Sequence, residues 1–229
     1  MESAVPPSPS VPLRMTTGVC VLHLFGAARP DCDGDAVRRA VEAARTDGCQ
    51  VVTAAILGHK ADLAVMALGP DVTALRRVQT ALQRAGIVVS DSYVSITEVS
   101  EYAPGLPEQM LQDRLYPNLP PEGKPAFCFY PMSKRREAHA NWYMTSYDER
   151  RDMMYEHGAS GRKFAGKIVQ LVTGSTGLDA YEWGVTLFGI DLEVIKDVVY
   201  TLRYDKGSAL YGEFGPFFVG YLTDLDELV

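Results

Sequence analysis

The order of the predicted strands and helices occurs twice along the chain, and this duplication limits the possible folds more than any other feature of the sequence. The first copy has apolar strands at 18–26, 49–58, 61–69 and 87–99, with amphipathic helices over 35–46 and 71–85. The second copy has strands at 126–132, 167–174, 182–189 and 217–222, with helices over 146–157 and 191–202. Both follow the order βαββαβ, and a spacing of about 100 residues is typical of a duplicated domain rather than of a short solenoid repeat.

A βαββαβ unit predicts a four-stranded antiparallel sheet with both helices on one face, as in ferredoxin-like folds. Two such sheets can pack against each other or join into a barrel. We therefore divide the chain into a disordered Pro/Ser tail (residues 1–14), a first half that serves as scaffold (15–101), a linker loop (102–125) and a second half (126–229). The stretch from Tyr102 to Lys124 contains five prolines, and a loop of this length is usually functional or disordered.

Composition narrows the function classes. The formal net charge is −7, which argues against general affinity for nucleic acid or for anionic membranes, so any anion site must be a local cluster of cations. The four cysteines show no CxxC spacing and lie in or beside apolar stretches, which favours reduced thiols and the cytosol. No run approaches 18 consecutive apolar residues. We expect a soluble cytoplasmic protein.

The two halves differ in chemistry. In the first half, His23 and His59 have no second metal-ligand type at a useful spacing, and we interpret them as core or surface residues. The second half and the linker before it hold most of the polar and aromatic residues with chemical potential: Arg114, Tyr130, Lys134, His157, Arg162, Gln170, Trp183, Arg203 and Ser208. The sequence therefore predicts that the second half carries the site.

The predicted helix over 146–157 ends on a histidine. Ser146 and Glu149 have the spacing of a capping box, and Gly158 is a plausible stop. His157 shares a helix face with Met153 and Met154. An imidazole on an apolar face suits an axial bond to a haem iron, whereas the alternative is a core histidine bonded to backbone. No second ligand has zinc spacing.

The segment FCFYPMSKRR (residues 127–136) places a tyrosine before a block of cations. Pro131 cannot donate to a sheet ladder, so we expect the chain to leave the sheet directly after Tyr130. One interpretation is a strand tyrosine followed by a solvated run of charges. The other is a phenol beside an anionic ligand that Lys134 and its neighbours hold by charge-assisted hydrogen bonds.

Together these segments resemble the chlorite dismutase superfamily, and within it the coproheme decarboxylases of Gram-positive bacteria. The resemblance is carried by DRLYPNLP, FYPMSKRR, NWYM, MMYEHGASGRKFAGK, VTGSTGLDAYEWGVTLF and YGEFGPFFVG, which cover about the second half of the chain. It implies an α+β fold in which two ferredoxin-like halves form a dimeric α+β barrel, with the haem site in residues 126–229. It also implies a cytoplasmic homopentamer and a transient contact with the coproporphyrin ferrochelatase.

The resemblance assigns expected roles to individual residues. His157 corresponds to the axial ligand of the porphyrin iron. Tyr130 corresponds to the redox-active tyrosine whose radical takes a hydrogen from a propionate β-carbon, and Lys134 to a propionate partner and proton source. The remaining expected contacts with the porphyrin are Met132 and the distal glutamine Gln170 in the distal pocket, and Arg114 and Ser208 at the propionates.

The implied reaction is the oxidative decarboxylation of two propionates of iron coproporphyrin III (coproheme) by hydrogen peroxide, which gives haem b by way of a three-propionate intermediate. A chlorite-degrading or peroxidase enzyme of the same fold is the first alternative, although chlorite dismutases carry an arginine where this chain has Gln170. A haem-binding protein without turnover is the second. One departure concerns Lys206, which stands near the position where many relatives have a glutamate beside the axial histidine. His139 is interpreted as a surface residue, and Arg135 and Arg136 receive no role.

Overall fold

A computed structural model describes residues 12–103 and 105–229. The strands are β1 (Cys20–Ala28), β2 (Gln50–Ile56), β3 (Leu63–Gly69), β4 (Ile87–Thr97), β5 (Ala126–Lys134), β6 (Arg136–Glu137), β7 (Ala140–Asn141), β8 (Ile168–Gly174), β9 (Trp183–Gly189), β10 (Gly212–Phe214) and β11 (Phe218–Leu222). The helices are α1 (Gly34–Thr46), α2 (Val72–Ala85), α3 (Glu108–Leu115), α4 (Tyr147–Arg162), α5 (Leu192–Leu202) and α6 (Lys206–Ala209), with short 3₁₀ turns at Trp142–Met144 and Leu225–Glu227.

The strands form one closed barrel with internal symmetry. Both halves use the same antiparallel order, β4-β1-β3-β2 in the first and β11-β5-β9-β8 in the second, so the strand that comes fourth in each half pairs with the first. The halves join twice, by β4 with β8 and by β11 with β2. In each joint the fourth strand of one half meets the second strand of the other. The predicted fold class, a barrel of two ferredoxin-like halves, is confirmed.

The inside of the barrel is filled by side chains from alternate positions of both halves. Its centre holds Phe25, Phe127, Phe129 and Phe188, each no more than 1% exposed. Burying one such ring contributes about 1.5–3 kcal/mol. Two further apolar clusters lie outside the barrel, one on the first half under α1 and α2 and one on the second half under α5. Helices α1, α2 and α5 thus cover the barrel from outside.

The linker and the helix of the second half differ from the sequence prediction. The linker is not a plain loop, because α3 forms within it after Pro107. Helix α4 has the predicted capping box between Ser146 and Glu149, but it continues for five residues past His157 to Arg162. The predicted stop at Gly158 is wrong, since Gly158 is not among the glycines with a positive φ and the helix passes through it.

Two predictions from the sequence concern the N-terminal tail and membrane-spanning segments. The predicted tail falls mainly on residues 1–11, which lie outside the described residues. Further along, the Leu13 oxygen already accepts the Val72 N–H at 2.9 Å. Within residues 12–103 and 105–229, every helix is too short or too polar to cross a bilayer.

Candidate functional site

The outer face of the second-half sheet is only partly covered, in contrast to the first half. In the first half both helices contribute side chains to the cluster on the sheet, including Val37 and Val41 from α1. In the second half, α5 covers β5 and β9, but α4, which corresponds to α1, contributes no side chain to any apolar cluster of the described residues. Only Ser160 of α4 is buried. The duplication therefore leaves a surface of the second half open where its counterpart is closed.

Strand β5 directs three of the predicted site residues to this outer face. Tyr130 belongs to the apolar cluster under α5, and Met132 packs against that cluster. Because alternate residues of a strand share a face, Lys134 lies on the same side. Contrary to the prediction that the chain leaves the sheet after Tyr130, β5 continues to Lys134. On one edge of β5, Pro131 lies between the segment paired with β11 and the segment paired with β10. On the other edge, β5 stays paired with β9 past Pro131.

Gln170 lies on the same outer face, at the open part of the sheet. It is paired with Leu187 of β9, which is paired with Cys128 of β5. Tyr130 lies in the next row on this face, so its Cα is about 12 Å from that of Gln170 by standard strand spacings. Gln170 is exposed, and its neighbour Val172 on the same face is 40% exposed. An amide and an apolar side chain thus line a sheet surface that no helix covers among the described residues.

His157 lies on α4 with a buried carboxylate behind its ring. Its Nδ1 is 3.2 Å from Oδ2 of Asp205, whose other oxygen accepts the Ser160 hydroxyl at 2.7 Å. Asp205 is 4% exposed. The His157–Asp205 approach is close but poorly aligned, since Oδ2 has no hydrogen-bond partner of good geometry among the described residues. We regard it as a real contact between the ring and the carboxylate, because the short distance and the effect of Asp205 on the pKa of His157 agree. Nε2, on the opposite side of the ring, is the atom left for a metal.

The protonation states of His157 and Tyr130 suit these positions. Burial and the nearby Lys134 ammonium lower the pKa of His157, and Asp205 opposes them. The imidazole is therefore neutral at pH 7, as a metal ligand must be. Burial raises the pKa of Tyr130, so its phenol keeps its proton. The Tyr130 ring is stacked on Phe217 at 4.5 Å between centroids and lies 5.9 Å from Phe214.

Lys134 is a buried cation at the C-terminal end of β5. Its Nζ donates to the Gly207 oxygen at 2.6 Å and lies 4.5 Å from the Trp142 ring centroid. Its backbone N–H donates to Oε2 of Glu182 at 2.8 Å. Burial lowers the pKa of Lys134 to about 8, with Glu182 acting in the opposite direction. Part of the lysine population is therefore neutral in mildly alkaline solution, which is suitable for a residue that releases a proton.

We expect Lys134 to make the stability of the ligand-free protein depend on pH. The unfolded lysine holds its proton up to a pKa of about 10.4, whereas the folded one loses it near 8, so the unfolded state binds more protons in between. Stability from this residue therefore rises with pH across that window, by up to about 3 kcal/mol. Urea unfolding of wild type and Lys134→Met at several pH values measures it. A constant difference between the two proteins from pH 7 to pH 10 would contradict this expectation.

The structure brings Ser208 to this group but puts Arg114 elsewhere. Ser208 is 8% exposed and belongs to α6, the short helix that also supplies Gly207 and follows Asp205. Arg114 is exposed at the end of α3, next to Leu115, whose oxygen accepts the Thr97 hydroxyl at 2.8 Å. Because Thr97 pairs with β8, the strand of Gln170, Arg114 lies near the joint of the two halves. Its role and that of Ser208 stay predictions.

The residues without an assigned role lie mostly at the surface. The side chain of His139 is 81% exposed, as expected for a surface residue. Arg136 is 67% exposed and 3.9 Å from Glu182. Arg135 is less exposed, and its buried Nε has no hydrogen-bond partner in the described part of the chain. Lys206 is exposed and begins α6.

A carboxylate lies behind His157 although Lys206 stands near the position where many relatives have a glutamate. Asp205 is the N-cap residue of α6, and the helical turn directs its carboxylate toward α4. Sequence reasoning also missed Ser160, Glu182 and Trp142. Ser160 could have been found, because it is one turn after His157 on the same helix face. Asp205 and Glu182 could not, because their partners are distant along the chain and depend on how the elements pack.

These residues fit an iron porphyrin. A flat ligand needs an apolar surface, one axial nitrogen and cations for its carboxylates, and the open sheet face, His157 and Lys134 supply these. The orphaned Oδ2 of Asp205 would gain a partner once the Nδ1–H of a metal-bound His157 turns toward it, as is usual for metal-ligating histidines. Within the described residues, no three His, Cys, Asp or Glu side chains gather into a metal cluster.

Comparison with known proteins gives a consistent result. A coproheme decarboxylase from Staphylococcus carnosus (strain TM300) is 46% identical, covering 76% of this chain and 73% of the relative. A solved heme-binding protein from Thermus thermophilus has a TM-score of 0.81 at 35% identity, covering 95% of this chain and 97% of its own. A point mutant of the chlorite dismutase from Candidatus Nitrospira defluvii has a TM-score of 0.72 at 20% identity over 93% and 94% of the two chains, which shows the fold alone.

The sequence model of one family, chlorite dismutase, matches residues 34–223, which span both halves of the barrel. The match includes α4, β5 and β8, and therefore the partly open outer face of the second half. Since most of the chain matches this family and a relative is 46% identical over most of its length, the chain belongs to the chlorite dismutase family.

Proposed function

We propose that this protein is a coproheme decarboxylase: with hydrogen peroxide it removes two propionates of iron coproporphyrin III as CO2 and leaves haem b. The observation that carries this proposal is its 46% identity to the Staphylococcus carnosus coproheme decarboxylase. The site supports it, because the outer face of the second-half sheet carries a buried phenol on β5 and a neutral amide on β8, while Lys134 of β5 lies near the neutral imidazole of His157 on α4. The likeness to a heme-binding protein supports haem as the bound group.

In this proposal His157 would hold the iron, and the neutral amide of Gln170 would line the pocket without acting as a strong ligand. When bound, the iron porphyrin activates hydrogen peroxide, which is the oxidant. The Tyr130 phenol then gives up a hydrogen atom and, as a radical, takes one from a propionate β-carbon. Lys134 holds the propionates and can release a proton near them. Met132 contacts the porphyrin ring, Ser208 contacts a propionate, and Arg114 reaches a propionate from the joint of the two halves. These roles are our proposals for the individual residues.

The proposed reaction balances for each propionate. The group –CH2–CH2–COO⁻ loses two electrons, and its Cα–carboxylate bond breaks to give –CH=CH2, CO2 and a proton. One hydrogen peroxide takes the two electrons together with two protons and becomes two waters. Each propionate therefore consumes one peroxide and one net proton. A nearby lysine with a lowered pKa suits a step that consumes a proton.

Asp205→Asn tests the carboxylate behind His157. The amide keeps the shape but loses the charge that makes the axial imidazole a stronger donor, so we expect coproheme affinity or turnover to fall by about 10–100-fold. Spectroscopic titration with coproheme measures the first, and product formation the second. Asp197→Asn, which removes an exposed carboxylate from α5, is the matched control. Equal values for both variants would mean that Asp205 does not act on His157.

The function is tested by adding peroxide to the coproheme-bound protein and following product masses over time. We expect successive losses of two propionate carboxyls and accumulation of haem b. A second candidate, haem binding without turnover, is favoured by the likeness to the Thermus thermophilus heme-binding protein. It predicts tight binding of haem b and no mass change of coproheme with peroxide. Oxygen release from chlorite would instead favour a chlorite-degrading enzyme.

We also propose, from the resemblance to the family, a homopentamer in the cytoplasm that contacts the coproporphyrin ferrochelatase transiently. Exposed apolar side chains outside the site, such as Tyr200, Tyr204 and Leu192, are available for contacts between subunits. Sedimentation analysis of the purified protein tests the assembly, and a dominant monomer would contradict it.

A further inference from the structure

Glu182 is a buried carboxylate that the proposed mechanism does not use. It is 6% exposed and directly precedes β9. Removing a carboxylate from water is costly unless charged or hydrogen-bonding partners compensate for the lost hydration. One oxygen, Oε2, accepts the Lys134 backbone N–H at 2.8 Å, and the other, Oε1, lies 3.9 Å from the Arg136 guanidinium. Glu182 is therefore tied to the cationic segment at the end of β5.

The Glu182 carboxylate takes the place of a neighbouring strand for the last residue of β5. The pairing of β5 with β9 stops at Met132 and Trp183, two residues before β5 ends. Glu182 donates its own backbone N–H to the Met132 oxygen at 3.1 Å. Its carboxylate then accepts the N–H of Lys134, as a carbonyl of an adjacent strand would. On the opposite edge Lys134 is paired with Gly212 of β10, so its backbone is held from both sides.

Attachment through the backbone leaves the Lys134 ammonium available to a ligand. A lysine ammonium has three N–H donors. One of them donates to the Gly207 oxygen at 2.6 Å, while the Trp142 ring centroid lies 4.5 Å from Nζ. Within residues 12–103 and 105–229, Nζ forms no salt bridge. The remaining N–H groups are therefore available to propionate oxygens.

Glu182 also supplies negative charge to this buried ammonium. Burial lowers the pKa of Lys134, and Glu182 acts in the opposite direction. Before a propionate binds, the ammonium needs a negative charge nearby, because a lone buried cation is costly. Arg136, the other cation beside this carboxylate, has a 67% exposed side chain and stays hydrated. Glu182 thus favours the charged form of Lys134 without occupying the ammonium itself.

We propose that Glu182 is the positioning residue of Lys134 in decarboxylation: its carboxylate fixes the lysine backbone and balances the ammonium charge, so that Nζ meets a propionate. This inference deepens the proposed function and rests on it, since Lys134 holds the propionates there. Glu182 acts through Lys134 rather than on the substrate, so its effect on the reaction requires the lysine. A role confined to stabilising the end of β5 would instead act equally with and without the lysine side chain.

The test is a double-mutant cycle on the rate of the first CO2 loss after peroxide is added to the coproheme-bound protein. We expect Glu182→Ala to slow this step about tenfold in the wild-type background but less than about twofold in the Lys134→Met background. Glu213→Gln is the matched control and should leave the rate unchanged, because Glu213 is an exposed carboxylate on the other edge of β5 that pairs with Arg135. Equal slowing by Glu182→Ala in both backgrounds, or no slowing in either, would overturn the proposal.

Hydrogen exchange of the Lys134 amide in the ligand-free protein gives a readout that does not depend on activity. We expect Glu182→Ala to speed this exchange at least about tenfold, because the amide loses a charged acceptor. Glu182→Gln, which also covers a failure of the alanine variant to fold, keeps an acceptor oxygen and should retain protection while losing rate with the charge.

The two readouts separate this inference from the proposed function. Wild-type protection of the Lys134 amide in Glu182→Ala would overturn the positioning role, even if wild type decarboxylates coproheme. Faster exchange in Glu182→Ala, together with no decarboxylation by wild type, would support the placement of Lys134 by Glu182 and refute the proposed function.

Discussion

Tyr130→Phe is expected to bind coproheme as wild type does but to form no haem b above the background of peroxide and free coproheme. The substitution removes only the phenolic hydroxyl, which has no hydrogen-bond partner among the described residues, while the ring keeps its stacking on Phe217. Stability should therefore change by less than about 1 kcal/mol. Phenylalanine cannot supply the hydrogen atom, so the reaction stops before the first CO2 is lost. Product masses and binding titrations measure the two effects separately.

Tyr93→Phe is the matched control for this prediction. Tyr93 is 3% exposed, but it faces the inside of the barrel, where its hydroxyl is hydrogen-bonded to Ser175. Its loss should cost about 1 kcal/mol of stability and leave decarboxylation intact. Undiminished haem b formation by Tyr130→Phe would remove Tyr130 from the mechanism. Equal loss of activity in both variants would indicate a general effect of losing a buried phenol.

His157→Ala is expected to have the largest effect on the bound porphyrin. Changes to groups behind a metal ligand already cost about 10–100-fold in affinity, so loss of the ligand itself should cost more than about 100-fold or leave the iron misplaced. The Soret band should shift from that of a histidine-ligated iron. Free imidazole should restore part of the wild-type spectrum, because the substitution leaves space beside Asp205.

His139→Ala is the control for this experiment, since His139 is a surface histidine with an 81% exposed side chain. It should bind coproheme with the wild-type spectrum. A wild-type Soret band for His157→Ala, with no response to imidazole, would show that another group holds the iron. Circular dichroism would show whether the protein still folds. We expect it to fold, because α4 contributes no side chain to the apolar clusters of the described residues.

The strands and helices of the two halves could be predicted because their signals are local. Alternation of apolar residues and the capping residues Ser146 and Glu149 act within a few positions, and the structure has these elements at the expected places. Elements with weak local signals were missed. Helix α3 has no buried residue and α6 is four residues long, so neither leaves an apolar period in the sequence.

The sequence by itself determined the two βαββαβ halves, because periodicity is a property of neighbouring residues. Its resemblance to a family gave the barrel and the expected site residues Tyr130, Lys134 and His157, whose roles stay predictions. Only the tertiary structure decided that α4 leaves part of the second-half sheet uncovered, and that Asp205 lies 3.2 Å from His157. Such contacts join residues that are far apart along the chain, and their distances follow from how whole elements pack rather than from any local pattern.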